Sequence, residues 1–363
     1  MNKSPFFSIV IPTFNRSEDL RFALFCLLKQ TFTDFEIVIS DNCSLDNTQD
    51  IVKSFYDKRI RYIRSKQTID MILNQKNAVS NARGDYIFIH SDDDFLPFSD
   101  TLEKIYQEIQ RTKPGYIRVN YVSLSMDKKR IFRYKVNKPF KKNYSIEPNS
   151  PNKKIIAFII DSDPYFITGI VFKNSLPNTI HMLNTDPVPW IDILFYVSQK
   201  FGALFFIQPQ IIASWSRRKK NKDTQHHLFR LEKGKLKSEG YLNALKNKLL
   251  VDDYQNILHQ ELIIIYIGLL PAIKANIGNK KMLQICQRIR LLDPTMQKSF
   301  TYWKNLLPAL VLPRDFLFFL KDLYLFIYTI FSPVSDKKVI ARLKKREKEY
   351  MSKYNSKQRK FSF

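Results

Sequence analysis

The sequence predicts an α/β fold: an open, mostly parallel twisted sheet with flanking helices, plus a C-terminal helical region. Three observations carry that prediction. From residue 7 to about 120, short apolar runs alternate with segments whose apolar residues recur at helical spacing, the pattern of parallel βαβ units. Polar and acidic residues gather where several of those runs end, and strand ends of this kind bear ligands in open α/β sheets. Beyond about residue 226 the strand pattern stops and helical composition takes over, with no internal repeat or low-complexity run.

The first strand is expected at 8–11, followed by a helix from Ser17, a plausible cap, to about 29. A second strand at 36–40 leads to a helix over 46–55 with Ile51, Val52 and Phe55 on one side. A third strand is read at 60–63, a helix at 74–82 ended by Gly84, and a fourth strand at 86–90. The helix near 100–111 carries Leu102, Ile105, Tyr106 and Ile109 on one face, and a strand returns at 116–122. The stretch up to Trp215 is mixed, with helices at 153–161 and 189–200 and strands at 166–172 and 204–212. A polar, basic break at 216–225 marks the boundary between a domain over 1–216 and a helical region over 226–363.

Composition excludes several classes. A chain of 363 residues with 44% hydrophobic and 14% aromatic residues buries a large core and is not disordered. Cys26, Cys43 and Cys286 are scattered, which suits a reducing compartment rather than a disulfide framework. No C-x-x-C or H-E-x-x-H occurs, and the adjacent His226 and His227 do not share a helix face, so a zinc site is not expected. The N-terminal apolar run is too short for a signal peptide, so the expected location is the cytoplasm. The net charge of +25 attracts polyanions: nucleic acid, anionic lipid headgroups or sugar-nucleotide phosphates. Much of it lies in 217–220 and in the tail from Lys337 to Lys360.

The stretch most informative for chemistry is Tyr86-Ile87-Phe88-Ile89-His90-Ser91-Asp92-Asp93-Asp94. Three carboxylates at a strand end repel one another, and a hard divalent cation shared with substrate phosphates would relieve that repulsion. The plainer reading is a solvated acidic turn, or Asp92 capping the next helix. The loop Pro12-Thr13-Phe14-Asn15-Arg16 lacks the glycines that wrap a pyrophosphate. Thr13 and Asn15 have groups for a base or ribose, with Phe14 packing nearby. Asp41, at the end of the second strand, can accept the imino N–H of a uracil or thymine ring. Helix capping by Ser44 or Asp46 is the structural alternative there.

These pieces together resemble glycosyltransferase family 2, nucleotide-sugar transferases of the GT-A fold. The resemblance rests on residues 10–16, 30–42 and 46–48, on Asn77, on 82–87, and on the aspartate cluster with Pro97. It implies that Pro12, Thr13, Phe14, Asn15, Asn42 and Asn77 line a nucleotide-sugar pocket and that Asp41 bonds the base. Ser91, Asp92 and Asp93 would meet the donor, and Asp92 and Asp94 would hold Mn²⁺ or Mg²⁺ on its diphosphate. In this register 1–120 is the nucleotide-binding half and 121–216 the acceptor half. The chain departs from the family's Asp-Asp-Gly-Ser with Asp41-Asn42-Cys43-Ser44, although a related subgroup has Asp-Asn there. Counting back from Pro97 puts the D-x-D motif at His90 and Asp92; counting carboxylates puts it at Asp92 and Asp94.

Inverting transfer needs a general base for the acceptor hydroxyl. By resemblance this is Asp192, in Asp186-Pro187-Val188-Pro189-Trp190-Ile191-Asp192, with Gly202 following at the family's spacing. Asp186 is the alternative. The implied reaction moves a sugar from a nucleoside-diphosphate-sugar to a hydroxyl of a lipid-linked glycan, in bacterial capsule or O-antigen synthesis. A sugar-phosphate nucleotidyltransferase would want a glycine-rich first loop. A basic nucleic-acid-binding protein would want cations interleaved with exposed aromatics. Neither pattern is present, so nucleic acid is not the expected partner. Segment 314–332 is apolar with a polar stripe, which reads as an interfacial helix on anionic membrane or as a core helix.

Overall fold

The computed structural model describes residues 4–124, 131–132, 142–164, 166–175, 190–213, 231, 234–320, 323 and 334–354. Asp186, the basic cluster at 217–220, residues 324–332 and the tail beyond 354 lie outside the described residues. The chain divides into two compact units: Met1–Asn184 with Pro189–Arg217 and Pro333–Phe363, and Arg218–Ser332 with Thr185–Val188.

The first unit is built on a mixed sheet. Its strands are β1 (Phe7–Thr13), β2 (Phe35–Asp41), β3 (Ile60–Arg64), β4 (Tyr86–Ile89), β5 (Tyr116–Leu124), β6 (Ile131–Phe132), β7 (Tyr144–Ile146), β8 (Ile170–Lys173) and β9 (Ala203–Ala213). They lie in the order β3-β2-β1-β4-β8-β5-β9-β7, with β6 beside β5. β1 pairs in parallel with β2 and β4, β2 with β3, and β5 with β9. β1 and β2 are apolar on both faces because helices cover both, and Ile9, Ile11, Ile37, Ile39 and Phe88 are buried among them. The edge strand β3 sets Arg61, Tyr62 and Arg64 among Ile60 and Ile63 and is half-exposed.

β8 enters antiparallel between β4 and β5. It is shorter than the 166–172 pattern predicts because Gly169 has φ +86, and a side chain there would run into Val119 O and Ile211. The strand therefore starts after Gly169, and Thr168 stays in a turn beside the end of β4. Gly84 is needed for a different reason: a Cβ would come within 2.7 Å of the β1 backbone. Its N–H instead donates to Ser8 Oγ at 2.7 Å.

Helices α1 (Ser17–Leu28), α2 (Thr48–Lys53), α3 (Met71–Ser80), α4 (Thr101–Thr112) and α5 (Asn152–Asp161) follow the predicted order. Ser17 proves to be the first helical residue and not the cap. Asp46 serves two helix starts, since it accepts N–H bonds from Ser17 at 2.9 Å and from Thr48 at 3.1 Å. Helix α6 (Ile191–Phe201) ends at Gly202, φ +77, whose carbonyl accepts from Gly115 N–H at 2.9 Å where β5 begins. Eleven residues of helix then carry its N-terminus about 16 Å back to the edge where β4 and β5 end.

A later helix, α11 (Val334–Tyr354), also belongs to the first unit. Tyr350 is fully buried with Phe22, Phe25, Phe95, Val122 and Ile212, and Glu349 pairs with Lys29 at 2.8 Å. The expected helical region spans 226–363, whereas α11 within it packs with the sheet. Strong charge on this helix hides the few apolar residues that dock it.

The second unit contains α7 (Lys237–Lys246), α8 (Val251–Glu261), α9 (Leu270–Leu292) and α10 (Phe300–Val311). A π turn (Leu262–Tyr266) joins α8 to the next turn, and Gly278, φ +81, breaks α9. Its core includes Leu262, Tyr266, Leu270, Ile273, Ile289 and Tyr302. Arg288 pairs with Glu239 through both Nε and Nη2. Val251–Ala275 is long and apolar enough to cross a membrane, and 44% of that window is buried inside the structure.

Candidate active site

The carboxyl edge of the parallel strands gathers Thr13 from β1, Asp41 from β2, Arg64 from β3 and residues 90–94 after β4. Two carboxylate groupings form there. At the end of β2, Asp41 is fully buried. Its Oδ1 accepts from the Ser44 N–H at 2.9 Å and from the Ser44 hydroxyl. Its Oδ2 accepts from the Tyr62 phenol and faces Arg64 Nε at 3.5 Å. Burial, reinforced by the Asp41 carboxylate, holds the Tyr62 phenol well above its ordinary range.

The loops around Asp41 are tied to one another. Asn15, at φ 52, receives Leu45 N–H on its Oδ1 at 2.7 Å and gives its own N–H to Ser44 Oγ at 2.9 Å. Asn42 closes a two-way pair with the Ile69 backbone, both bonds 2.8 Å. Asn77 donates to Ser40 Oγ at 2.9 Å. Pro12 pairs in register with Ser40, and Phe14 is 42% exposed beside this wall, the one large apolar face the loop presents.

The second grouping follows β4. Asp92, only 3% exposed, accepts from Thr13 Oγ1 at 2.7 Å and from Arg16 Nη1 at 2.9 Å. The same guanidinium reaches Asp93 Oδ2 at 2.8 Å, and Asp93 Oδ1 takes the Ser91 hydroxyl at 2.6 Å. Asp94 is turned to Thr168, whose hydroxyl donates to it while accepting the Ser91 N–H at 2.9 Å. Burial pushes the Asp92 carboxyl up to about 6; Asp93 adds to the rise, and Arg16 and Thr13 oppose it. His90 is fully buried, and burial pushes its imidazole down to about 4. Its Nδ1 faces the Ser91 carbonyl at 2.6 Å, so that nitrogen carries the proton, and Nε2 has no protein partner.

A divalent cation is implied by the resemblance, and the donors suit one. They are hard carboxylate oxygens from adjacent residues, the kind that Mg²⁺ and Mn²⁺ take one or two at a time while phosphates and water complete the shell. Among the described residues no group of three or more His, Cys, Asp or Glu is arranged as a closed protein cage. The positive charge between Asp92 and Asp93 in this structure is Arg16.

Asp192 lies in the first turn of α6, half-buried. The direction of α6 puts it on the same edge of the sheet as Asp92. Several residues here were not singled out from sequence. Arg16 closes the quoted loop without a role of its own there, and three acids without a cation are the signal that points to it. Tyr62 and Arg64 stand two apart on β3 and so share a face with the end of β2. Thr168 gave no sequence signal, because its placement depends on the turn at Gly169.

The profile described as Glycosyl transferase family 2 matches residues 8–168. The stretch 8–168 is thus similar to glycosyltransferase family 2. Glycosyltransferase GlyG of Streptococcus pneumoniae is 24% identical over 184 residues, 50% of this chain and 61% of that one. The GalNAc(5)-diNAcBac-PP-undecaprenol beta-1,3-glucosyltransferase of Campylobacter jejuni is 33% identical over 120 residues, 32% of this chain and 37% of that one. The chain thus spans less than two thirds of either curated relative. The crystal structure of S. aureus TarS aligns with a TM-score of 0.51 at 15% identity, covering 82% of this chain and 52% of TarS. That likeness is one of fold, and this family 2-like domain carries the GT-A-like sheet with a helical region after it.

Proposed function

We propose that this chain is an inverting glycosyltransferase that moves a sugar from a nucleoside-diphosphate-sugar to a hydroxyl of a lipid-linked glycan, in bacterial capsule or O-antigen synthesis. The observation that carries the reading is the under-neutralised aspartate cluster at the carboxyl edge of a family 2-like domain. Support for a lipid-linked acceptor comes from the Campylobacter relative, whose name specifies an undecaprenol-linked substrate.

In this reading Asp41 accepts the imino N–H of the base, and Tyr62 cedes part of its hold when the base arrives. Pro12, Thr13, Phe14 and Asn15 line the pocket, while Asn42 and Asn77 hold its walls. Ser91, Asp92 and Asp93 meet the ribose and diphosphate. Asp92 and Asp94 would hold Mn²⁺ or Mg²⁺, which would supply positive charge to the departing diphosphate. Arg16 adds a fixed cation beside the same groups. Asp192 takes the proton of the acceptor hydroxyl as that oxygen attacks the anomeric carbon, and the sugar–phosphate bond breaks with its electron pair on the diphosphate.

The protein is held peripherally at the inner side of the plasma membrane through 314–332 and the basic tail; Arg342, Lys344, Lys345 and Lys348 of α11 are exposed. Turnover of a panel of UDP-, dTDP-, GDP- and CDP-sugars, with and without Mn²⁺, tests the reading. Nucleotide release from one of them is expected. Failure to bind or turn over any member of the panel overturns it.

A further inference from the structure

We propose that α10 and the helical stretch after it form a lipid-contacting face that seats the second unit on an anionic phospholipid bilayer. α10 has two apolar arcs. One holds Tyr302, Leu306 and Ala309, which are buried in the unit. The other holds Phe300, Trp303, Leu307, Leu310 and Val311, with exposures of 80, 45, 52, 40 and 77%. At about 100° per residue this second arc spans about 100° of the helix and is centred about 120° round from the first. After Pro313 the spacing repeats: Phe316, Phe319, Leu320 and Leu323 are all at least 40% exposed, while Leu317 between them is buried. Monomeric soluble proteins rarely leave so many large apolar side chains of one short segment in water. The α10 half of it lies outside the 314–332 segment that sequence pattern had pointed to.

The charge around the strip favours lipid over a second copy of the chain. Between Pro294 and Leu320 the charged residues are Lys298, Lys304, Arg314 and Asp315. Lys304 sits about 20° beyond the exposed arc, where its ammonium can reach headgroups while its stem lies along the apolar surface. Two copies at +25 each repel, whereas an anionic surface attracts this chain. The polar groups of the strip are also prepared for low dielectric. Trp303 Nε1 donates to Gln297 O at 2.7 Å. At the end of α10, the buried Lys274 donates to Leu312 O at 2.7 Å and Leu310 O at 3.3 Å, so those terminal carbonyls have partners.

The test uses the full chain with vesicles of phosphatidylcholine alone or mixed with phosphatidylglycerol, at low salt. Flotation with the phosphatidylglycerol vesicles is expected, with a blue shift of tryptophan emission that Trp303→Phe removes. The triple variant Phe300→Ser, Leu307→Ser, Val311→Ser should lose vesicle partition by about tenfold or more, since three large side chains leave the interface. Its circular dichroism and nucleotide binding should not change. Equal flotation of the triple variant, no wild-type flotation, or an emission shift that survives Trp303→Phe each overturns the proposal. So does light scattering that finds a dimer which the triple variant converts to monomer, because a second copy then covers the strip. Nucleotide binding on the same samples separates this outcome from failure of the donor reading.

Discussion

Asp41 and Asp92 lie at one edge of the sheet, past β2 and β4 on either side of β1, and both are buried, yet the fold treats them oppositely. Asp41 is met by a backbone N–H, a serine hydroxyl, a phenol and an arginine, all supplied by the fold. Asp92 stands with Asp93 and Asp94 against one half-exposed guanidinium, and its carboxyl is pushed up to about 6 by burial. A carboxylate satisfied by its own protein organises a wall. Carboxylates left short of positive charge store a preference for something that brings it. The difference separates an acid that braces its wall as well as facing the base from one poised for a cation-bearing donor, even though both sit near strand ends.

The largest expected effect breaks the comparison at its charged side. Asp92→Asn should abolish donor turnover and metal-dependent nucleotide binding, read as nucleotide release and by calorimetry. Full activity in excess EDTA would remove the metal from the reading. Asp192→Asn comes next, with kcat lower by about 10²–10⁴ and donor affinity nearly unchanged. Wild-type turnover there, alongside loss in Asp186→Asn, transfers the base to Asp186.

Asp41→Ala sharpens the contrast because it should act on two measurements at once. Nucleotide affinity falls by about 1.5–3 kcal/mol if the base is read there. Thermal stability falls by about 1–3 kcal/mol as well, because Tyr62 and Ser44 lose their buried acceptor. Asp92→Asn should cost the fold much less, and equal losses in melting temperature for the two variants would erase the distinction.

The smallest effect is in pH. His90, pushed down to about 4, binds fewer protons folded than unfolded, so its contribution to stability is lost as pH falls from about 6.5 toward 4. Asp92, pushed up to about 6, has the opposite sign: its contribution is present at low pH and lost as pH rises from about 4 through 6. The two offset in one window. Melting temperature in Asp92→Asn should therefore fall more steeply on acidification than in the wild type, and a shallower fall would reverse the assignment.

Local pattern made the sheet legible. Alternation of apolar runs and helical periods located β1 to β4 within a residue or two of their bounds, because all four are short and β1, β2 and β4 are buried on both faces. The strand ends pointed to Asp41 and Asp92 through carboxylates in an apolar context. Pattern failed where placement depends on distant chain. Thr168 meets Asp94 across a span of 74 residues through a glycine turn, and Arg16 looks like any surface cation until the cluster is set beside it. The split of the helical region was hidden for the same reason: Tyr350 and Met351, two apolar residues among many charges, seat α11 against the sheet.

That tyrosine has a consequence for how the protein is made. Phe22, Phe25 and Phe95 are synthesised early, but the ring that completes their packing is Tyr350, more than two hundred residues later, after the whole second unit has left the ribosome. Until then the nascent first unit displays an aromatic socket, the kind of surface that chaperones hold and proteases find. A stop codon or nick anywhere between 218 and 349 should therefore yield an aggregation-prone fragment and not a smaller working domain, whatever the length of sheet already in place.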